Sequence, residues 1–121
     1  HTFGHALEAE TGFSQALLHG EAVALGMVLA ARYSARMRLM SSASAEHIAG
    51  HLAAAGLPVT LAAAGITCAG ERLVAHMRHD KKMDAGRLPF VLLRGIGEAF
   101  VATDVDSTDV ARFLDEEAGR T

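Results

Sequence analysis

The chain has 121 residues, a length that suits one domain and is marginal for two. Half of the residues are hydrophobic but only 5% are aromatic, and alanine is abundant, which favours closely packed helices. The formal net charge of −3 excludes an electrostatic footprint for nucleic acid or for an anionic membrane surface. One cysteine excludes an internal disulfide, and no apolar run is long enough to span a bilayer. Without a visible signal peptide, we expect a soluble cytoplasmic domain.

Two helices are predicted in the first forty residues. The first covers residues 2–10 and is followed by a loop. The second covers residues 20–40, and its first half is apolar on all sides, as is typical of a buried central helix. Arg32, Arg36 and Arg38 are expected to mark the point where this helix emerges into water.

Two further helices are predicted in the middle of the chain. Ser44 is the expected N-cap of a helix that reaches about residue 55, and Gly56 is its expected C-terminal stop. After a weakly patterned connection, residues 70–79 are predicted to form a helix. The apolar stripe of that helix consists of Leu73, Val74 and Met77.

The pattern changes in the last third of the chain. Residues 88–93 and 98–103 are β-prone and are separated by the turn sequence RGIG, which predicts a hairpin. Pro89 restricts the first strand to an edge or to a strand start. Asp106 or Ser107 is expected to cap a last helix that ends near residue 118. The predicted fold class is mainly α, with one small antiparallel β-hairpin.

Three histidines near the N-terminus are the main candidates for metal ligands. His1 and His5 are four residues apart, so a helix would place both imidazoles on one face, and His19 is expected at the end of the loop, just before the long helix. Two of these histidines with a carboxylate from elsewhere would form an open catalytic metal site, and three histidines around one metal are the alternative. If the three histidines have only a structural role, their side chains would form hydrogen bonds with the backbone or with water. His47 and His51 have the same spacing on a solvated face, so spacing alone is a weak signal.

A second candidate is the pair Lys81 and Lys82, which are the only lysines in a chain that otherwise uses arginine. Lysine binds phosphate or carboxylate as a compact point charge. The alternative is a solvated loop between a helix and the hairpin. Cys68 has no neighbouring cations in the sequence, so we interpret it as a small, partly buried hydrophobic residue rather than a nucleophile.

The strings HTFGHALE, LHGEAVALGM and DKK, followed by GRLPFVLLRGIGEA, resemble the 3-dehydroquinate synthase family in this order. The resemblance covers essentially the whole chain, but only as the C-terminal part of such an enzyme. It implies that residues 1–121 form the metal- and substrate-binding helical domain. The N-terminal NAD-binding domain is absent from these residues, so we expect a fragment that is inactive alone and binds metal weakly.

The resemblance also implies a reaction and roles for particular residues. The family converts 3-deoxy-arabino-heptulosonate 7-phosphate to 3-dehydroquinate and phosphate in the shikimate pathway, with bound NAD⁺ and a divalent metal, Zn²⁺ or Co²⁺. By motif position, His1 and His19 resemble two metal ligands, whereas the third, a glutamate, lies upstream. His5 resembles a residue that contacts the substrate. A lysine of the DKK loop resembles the phosphate-binding one, with Lys81 favoured over Lys82.

Three alternatives remain at this point. The chain is also compatible with another sugar-phosphate cyclase, with a glycerol-type metal- and NAD-dependent dehydrogenase, or with a non-catalytic helical interaction module. For the full-length enzyme we expect a homodimer and a small sugar-phosphate substrate, with no nucleic-acid or membrane partner. An exposed apolar face is expected where the other domain would pack.

Overall fold

The computed structural model describes residues 2–11, 19–80 and 89–120. Within these residues the chain forms five helices and one two-stranded antiparallel sheet. In chain order the elements are α1 (Thr2–Glu10), α2 (His19–Arg36), α3 (Ser42–Ala54), α4 (Gly70–Asp80), β1 (Phe90–Gly95), β2 (Glu98–Ala102) and α5 (Ser107–Ala118). The prediction of a mainly α domain with one small hairpin is confirmed.

Helix α2 lies at the centre of the core, as its apolar first half predicts. Leu25, Val28 and Leu29 have no exposed surface, and α1, α3 and β1 all pack against α2. An aromatic cluster joins α1, α2, β1 and α5. In this cluster Tyr33 of α2 lies edge-on to Phe113 of α5, with 5.1 Å between the ring centroids. The exception is Met27, which is 49% exposed, so one side of α2 is not covered by the described residues.

Glycines allow α1 and α2 to approach at backbone distance. A Cβ atom on Gly26 would lie 2.9 Å from the backbone nitrogen of Gly4, and one on Gly4 would lie 3.3 Å from the carbonyl oxygen of Ala22. One turn after Gly4, Glu8 contacts His19, which precedes Ala22 by three residues. The two helices therefore run in opposite directions, and the end of α1 lies beside the start of α2.

Helix α2 ends at Arg36, four residues earlier than predicted. The backbone N–H of Leu39 donates to Ser34 (2.9 Å) and that of Arg38 donates to Ala35 (3.0 Å). Arg38, which is exposed as predicted, has a φ of 61°, so these bonds form the Schellman arrangement that closes many helices. This position usually holds glycine, so an arginine there does not predict the end of the helix.

The other helix ends follow local capping rules. The N-cap of α3 is Ser41 rather than the predicted Ser44, because the Ser41 hydroxyl accepts a hydrogen bond from the Ser44 backbone N–H at 3.1 Å. Gly56, with a φ of 85°, follows the end of α3 as predicted. Asp106 caps α5 by accepting from the Thr108 backbone N–H at 2.9 Å, which selects the first of the two predicted caps.

Arg32 does not mark the emergence of α2 into water, so this prediction is wrong. Its side chain is 7% exposed and donates to Glu117 at 3.2 Å, to the carbonyl of Val59 at 2.7 Å, and through two nitrogens to Glu46. These hydrogen bonds hold the pKa of the Glu46 carboxyl below its ordinary value. Arg36 is also partly buried and pairs with acidic residues of α5. Arg32 therefore connects α2 to α3, to the segment that contains Val59 and to α5.

Replacing Gly70 by alanine tests the packing of α4 on α5. A Cβ atom on Gly70 would overlap the carbonyl oxygen of Ala111, and the Gly70 N–H donates to Asp115 at 2.7 Å. We expect Gly70→Ala to lower the free energy of unfolding by about 1–3 kcal/mol in urea titrations. Gly50, inside α3, has no atom within 4 Å of such a Cβ, so Gly50→Ala should stabilise by about 0.5–1 kcal/mol. Equal effects of the two substitutions would contradict this packing.

Candidate functional site

His19, the first residue of α2, is held by a carboxylate of α1. Its Nδ1 lies 3.1 Å from Oε2 of Glu8. Because a carboxylate has no hydrogen to donate, this contact places a hydrogen on Nδ1, and in the neutral imidazole the lone pair is then on Nε2. The His19 side chain is 73% exposed, whereas that of Glu8 is only 15% exposed. A nearly buried carboxylate therefore orients an imidazole that faces solvent.

His5 lies on α1, on the side of the helix that carries Glu8. It is half-buried and precedes Glu8 by three residues, a spacing that places two side chains on one helix face. Since Glu8 contacts His19, the structure brings two of the predicted site residues, His5 and His19, to the same side of the α1–α2 pair.

His1, Lys81 and Lys82 lie outside the described residues, so their predicted roles stay predictions. One described contact shows where their neighbours in the sequence lie. The hydroxyl of Thr2, the residue after His1, donates to the carbonyl of Pro89 at 2.8 Å. Pro89, which follows the segment that contains the two lysines in the sequence, is therefore bonded to the start of α1.

Among the described residues, no group of three or more histidine, cysteine or acidic side chains is arranged to hold a metal ion. The donor chemistry that is present still suits a metal. An imidazole that donates from one nitrogen to a carboxylate presents its other nitrogen as a ligand of the kind found in zinc sites. The described part of the chain thus holds one oriented candidate ligand, His19, rather than a complete set.

A second carboxylate of α1, Glu10, fastens α1 to α4. Its Oε1 accepts from Arg72 at 2.6 Å and from His76 at 2.9 Å. The hydrogen bond from Arg72, with that from His76, holds the pKa of Glu10 below its ordinary value. Burial and the nearby Glu10 carboxylate raise the pKa of the Cys68 thiol. Cys68 is only partly exposed, so its interpretation as a small hydrophobic residue is confirmed.

Sequence reasoning missed Glu8 and Glu10 as site-forming residues. Glu8 had a usable signal, because it falls three residues after His5 in HTFGHALE and so shares its helix face. Glu10 had none, since its partners lie more than sixty residues away. His47 and His51 are both exposed on α3, which confirms that their face is solvated.

An apolar groove of about 370 Å³ lies between α1, α2 and the hairpin. Its lining includes Val23, Met27 and Val91, and the last two are 49% and 45% exposed. The apolar surface expected from the sequence is therefore present. None of the described helices combines the length and the apolar character needed to cross a bilayer.

Comparison with known proteins gives a consistent family match. The family model described as 3-dehydroquinate synthase C-terminal matches residues 1–83. The 3-dehydroquinate synthase of Zymomonas mobilis is 53% identical over 120 residues, which is 99% of this chain and 32% of that protein. That of Caulobacter vibrioides is 52% identical over 118 residues, or 97% of this chain and 32% of that protein.

A solved structure shares the fold. The crystal structure of 2-deoxy-scyllo-inosose synthase with carbaglucose-6-phosphate, NAD⁺ and Co²⁺ matches with a TM-score of 0.75 and 26% sequence identity. The match covers 97% of this chain and 32% of that one. The chain thus spans about a third of the length of the proteins that it matches.

Proposed function

This chain belongs to the 3-dehydroquinate synthase C-terminal family, and on that premise we propose that residues 1–121 are the metal- and substrate-binding domain of a 3-dehydroquinate synthase. The complete enzyme would convert 3-deoxy-arabino-heptulosonate 7-phosphate to 3-dehydroquinate and phosphate, towards aromatic amino acids. The observation that carries the proposal is the sequence identity of more than 50% across nearly the whole chain. NAD⁺ would be bound mainly by residues outside these 121.

We assign His19 and His1 as two metal ligands, with a glutamate outside these residues as the third. The assignment of His19 is supported by its exposed ring, because Nδ1 contacts Glu8 and Nε2 is left to coordinate the ion. Zn²⁺ is the proposed ion, and Co²⁺, present in the related cyclase structure, is the alternative. When bound, the ion would supply Lewis-acid stabilisation of negative charge on a substrate oxygen.

We assign His5 as a residue that contacts the substrate. It lies on the same helix face as Glu8, and an imidazole can both donate and accept hydrogen bonds at substrate hydroxyls. Its partial burial favours a fixed ring position over a solvated one. His5 would therefore orient the substrate beside the ion rather than bind the ion.

Lys81 is the proposed phosphate ligand, and its neighbour Lys82 is the matched control. A hydrogen bond to a charged group contributes about 1.5–3 kcal/mol, so Lys81→Ala is expected to raise the KM for the phosphorylated substrate by roughly 10–100-fold. Lys82→Ala should change it by much less. Steady-state kinetics of the complete enzyme measure both. A larger effect of Lys82→Ala would exchange the two roles, and no effect of either substitution would remove both lysines from the proposed site.

The proposed function is tested by product analysis of the complete protein encoded by the reading frame. With NAD⁺, a divalent metal and the seven-carbon phosphate, a synthase releases phosphate and the ring-closed product in equal amounts. Net formation of a ketone and reduced nicotinamide would instead indicate a glycerol-type dehydrogenase. Turnover of a different sugar phosphate would indicate a related cyclase. Failure of all of these reactions would favour a non-catalytic module.

We further propose that the complete enzyme is a homodimer in the cytoplasm. The exposed apolar residues Met27 and Val91 at the groove support burial against further protein, because apolar patches of this kind mark interaction surfaces. The reduced state expected for a chain with one cysteine supports the compartment. Sedimentation of the complete protein tests the dimer.

A further inference from the structure

We propose that Glu8 is a positioning residue for the metal site, which fixes the tautomer and the direction of the His19 ring. This inference rests on the proposed function, because it takes His19 to be a metal ligand. Glu8 itself would touch neither the ion nor the substrate. Its carboxylate accepts the Nδ1 hydrogen of His19 at 3.1 Å and so commits Nε2 to the ion.

The contrast in exposure between the two side chains favours this role. An imidazole that is 73% exposed, at the first residue of a helix, would sample several rotamers if nothing held it. Glu8, at 15% exposure, is partly buried and supplies an acceptor for the ring at 3.1 Å. A metal-binding histidine commonly donates its second ring N–H to a carboxylate, which also makes the coordinating nitrogen more basic.

The position of Glu8 is itself fixed by neighbouring contacts. Two residues later, Glu10 ties α1 to α4 through Arg72 and His76. On the other side, Gly4 lies against Gly26 of α2 at backbone distance. Helix α1 is thus held by α2 and α4, so the backbone that carries Glu8 is fixed relative to His19.

The same geometry separates this role from a merely structural one. An ion pair or hydrogen bond at an exposed side chain contributes little to folding. Loss of the Glu8 carboxylate should therefore reduce metal affinity far more than it reduces the stability of the metal-free protein. Glu116→Gln is the matched control, because it removes an exposed carboxylate of α5 that pairs with Arg36 of α2 rather than with His19.

The test is titration of the metal-stripped complete protein with Zn²⁺ against a chromophoric chelator. We expect Glu8→Ala to weaken Zn²⁺ binding by about 10–100-fold. Glu8→Gln should weaken it less, because the amide oxygen can still accept the Nδ1 hydrogen. Glu116→Gln should leave the affinity unchanged. The thermal midpoint of each metal-free variant is measured alongside.

The outcomes distinguish this inference from the function on which it rests. If His19→Ala abolishes binding but Glu8→Ala binds Zn²⁺ as the unmodified protein does, the role of Glu8 is overturned and the ligand assignment stands. If His19→Ala binds normally, the ligand assignment fails and the role of Glu8 fails with it. An affinity loss matched by a similar loss of metal-free stability would make Glu8 a structural residue and also overturn the inference.

Discussion

Replacement of Arg32 by alanine is expected to lower the free energy of unfolding by about 3 kcal/mol, the lower end of the range for breaking a buried ion pair. Arg32 is 8% exposed and its partner Glu117 is 6% exposed. Removal of the guanidinium leaves a nearly buried carboxylate and the Val59 carbonyl without this donor. The loss stays at the lower end because Arg120, at 47% exposure, still contacts Glu117 at 3.3 Å.

Arg112→Ala provides the control for this experiment. Arg112 is on α5, its side chain is 67% exposed, and its nearest carboxylate, that of Asp109, is 3.9 Å away. An exposed pair of this kind contributes about 0.2–1 kcal/mol or nothing measurable. Urea titration of both variants, monitored by circular dichroism, gives the two free energies. Equal values for Arg32→Ala and Arg112→Ala would show that the burial of Arg32 does not stabilise the fold.

A second variant separates the loss of a charge partner from the loss of packing. When both members of the buried pair are replaced, no buried charge is left without its partner, and Glu46, which is 49% exposed, still has Arg120 at 3.6 Å. The double variant Arg32→Met with Glu117→Gln should therefore recover much of the stability lost in Arg32→Ala. Failure to recover would mean that the contacts to Val59 and Glu46 contribute more than the pair itself.

Arg32 also shows what could not be predicted from the sequence. An arginine after an apolar helical run is typical of a helix that emerges into water, and no local pattern points to Glu117, 85 residues away. The ends of α2 show the same limit on a smaller scale. The C-terminal end of α2 depends on Arg38 adopting a φ of 61°. This conformation is predicted from sequence only where glycine stands, so an arginine does not indicate it.

The elements with local signals were predicted well. Helix α1, the stripe of α4, the hairpin turn and the cap at Asp106 all follow from spacing and residue type within a few positions. For the candidate site, the sequence motifs supplied the histidines in order. The contact between Glu8 and His19 depends on how α1 and α2 fold back on each other, which a pattern read along the chain does not contain.

The largest effect on activity is expected from His19→Ala. If His19 is a metal ligand, its loss removes stabilisation that a Lewis acid supplies at several kcal/mol, so the turnover of the complete enzyme should fall by about 100-fold or more. Zinc content after dialysis should fall in parallel. Because the side chain is 73% exposed, the folded state of the metal-free protein should be nearly unchanged.

His47→Ala is the matched control, since it removes an exposed imidazole from α3, away from the α1–α2 contact. It should retain full zinc content and turnover. A variant at His19 that kept both would remove this residue from the site, whatever the sequence identity to the synthases. Loss of turnover with zinc fully retained would instead place His19 on the substrate, because a ligand cannot be removed without weakening the hold on the ion.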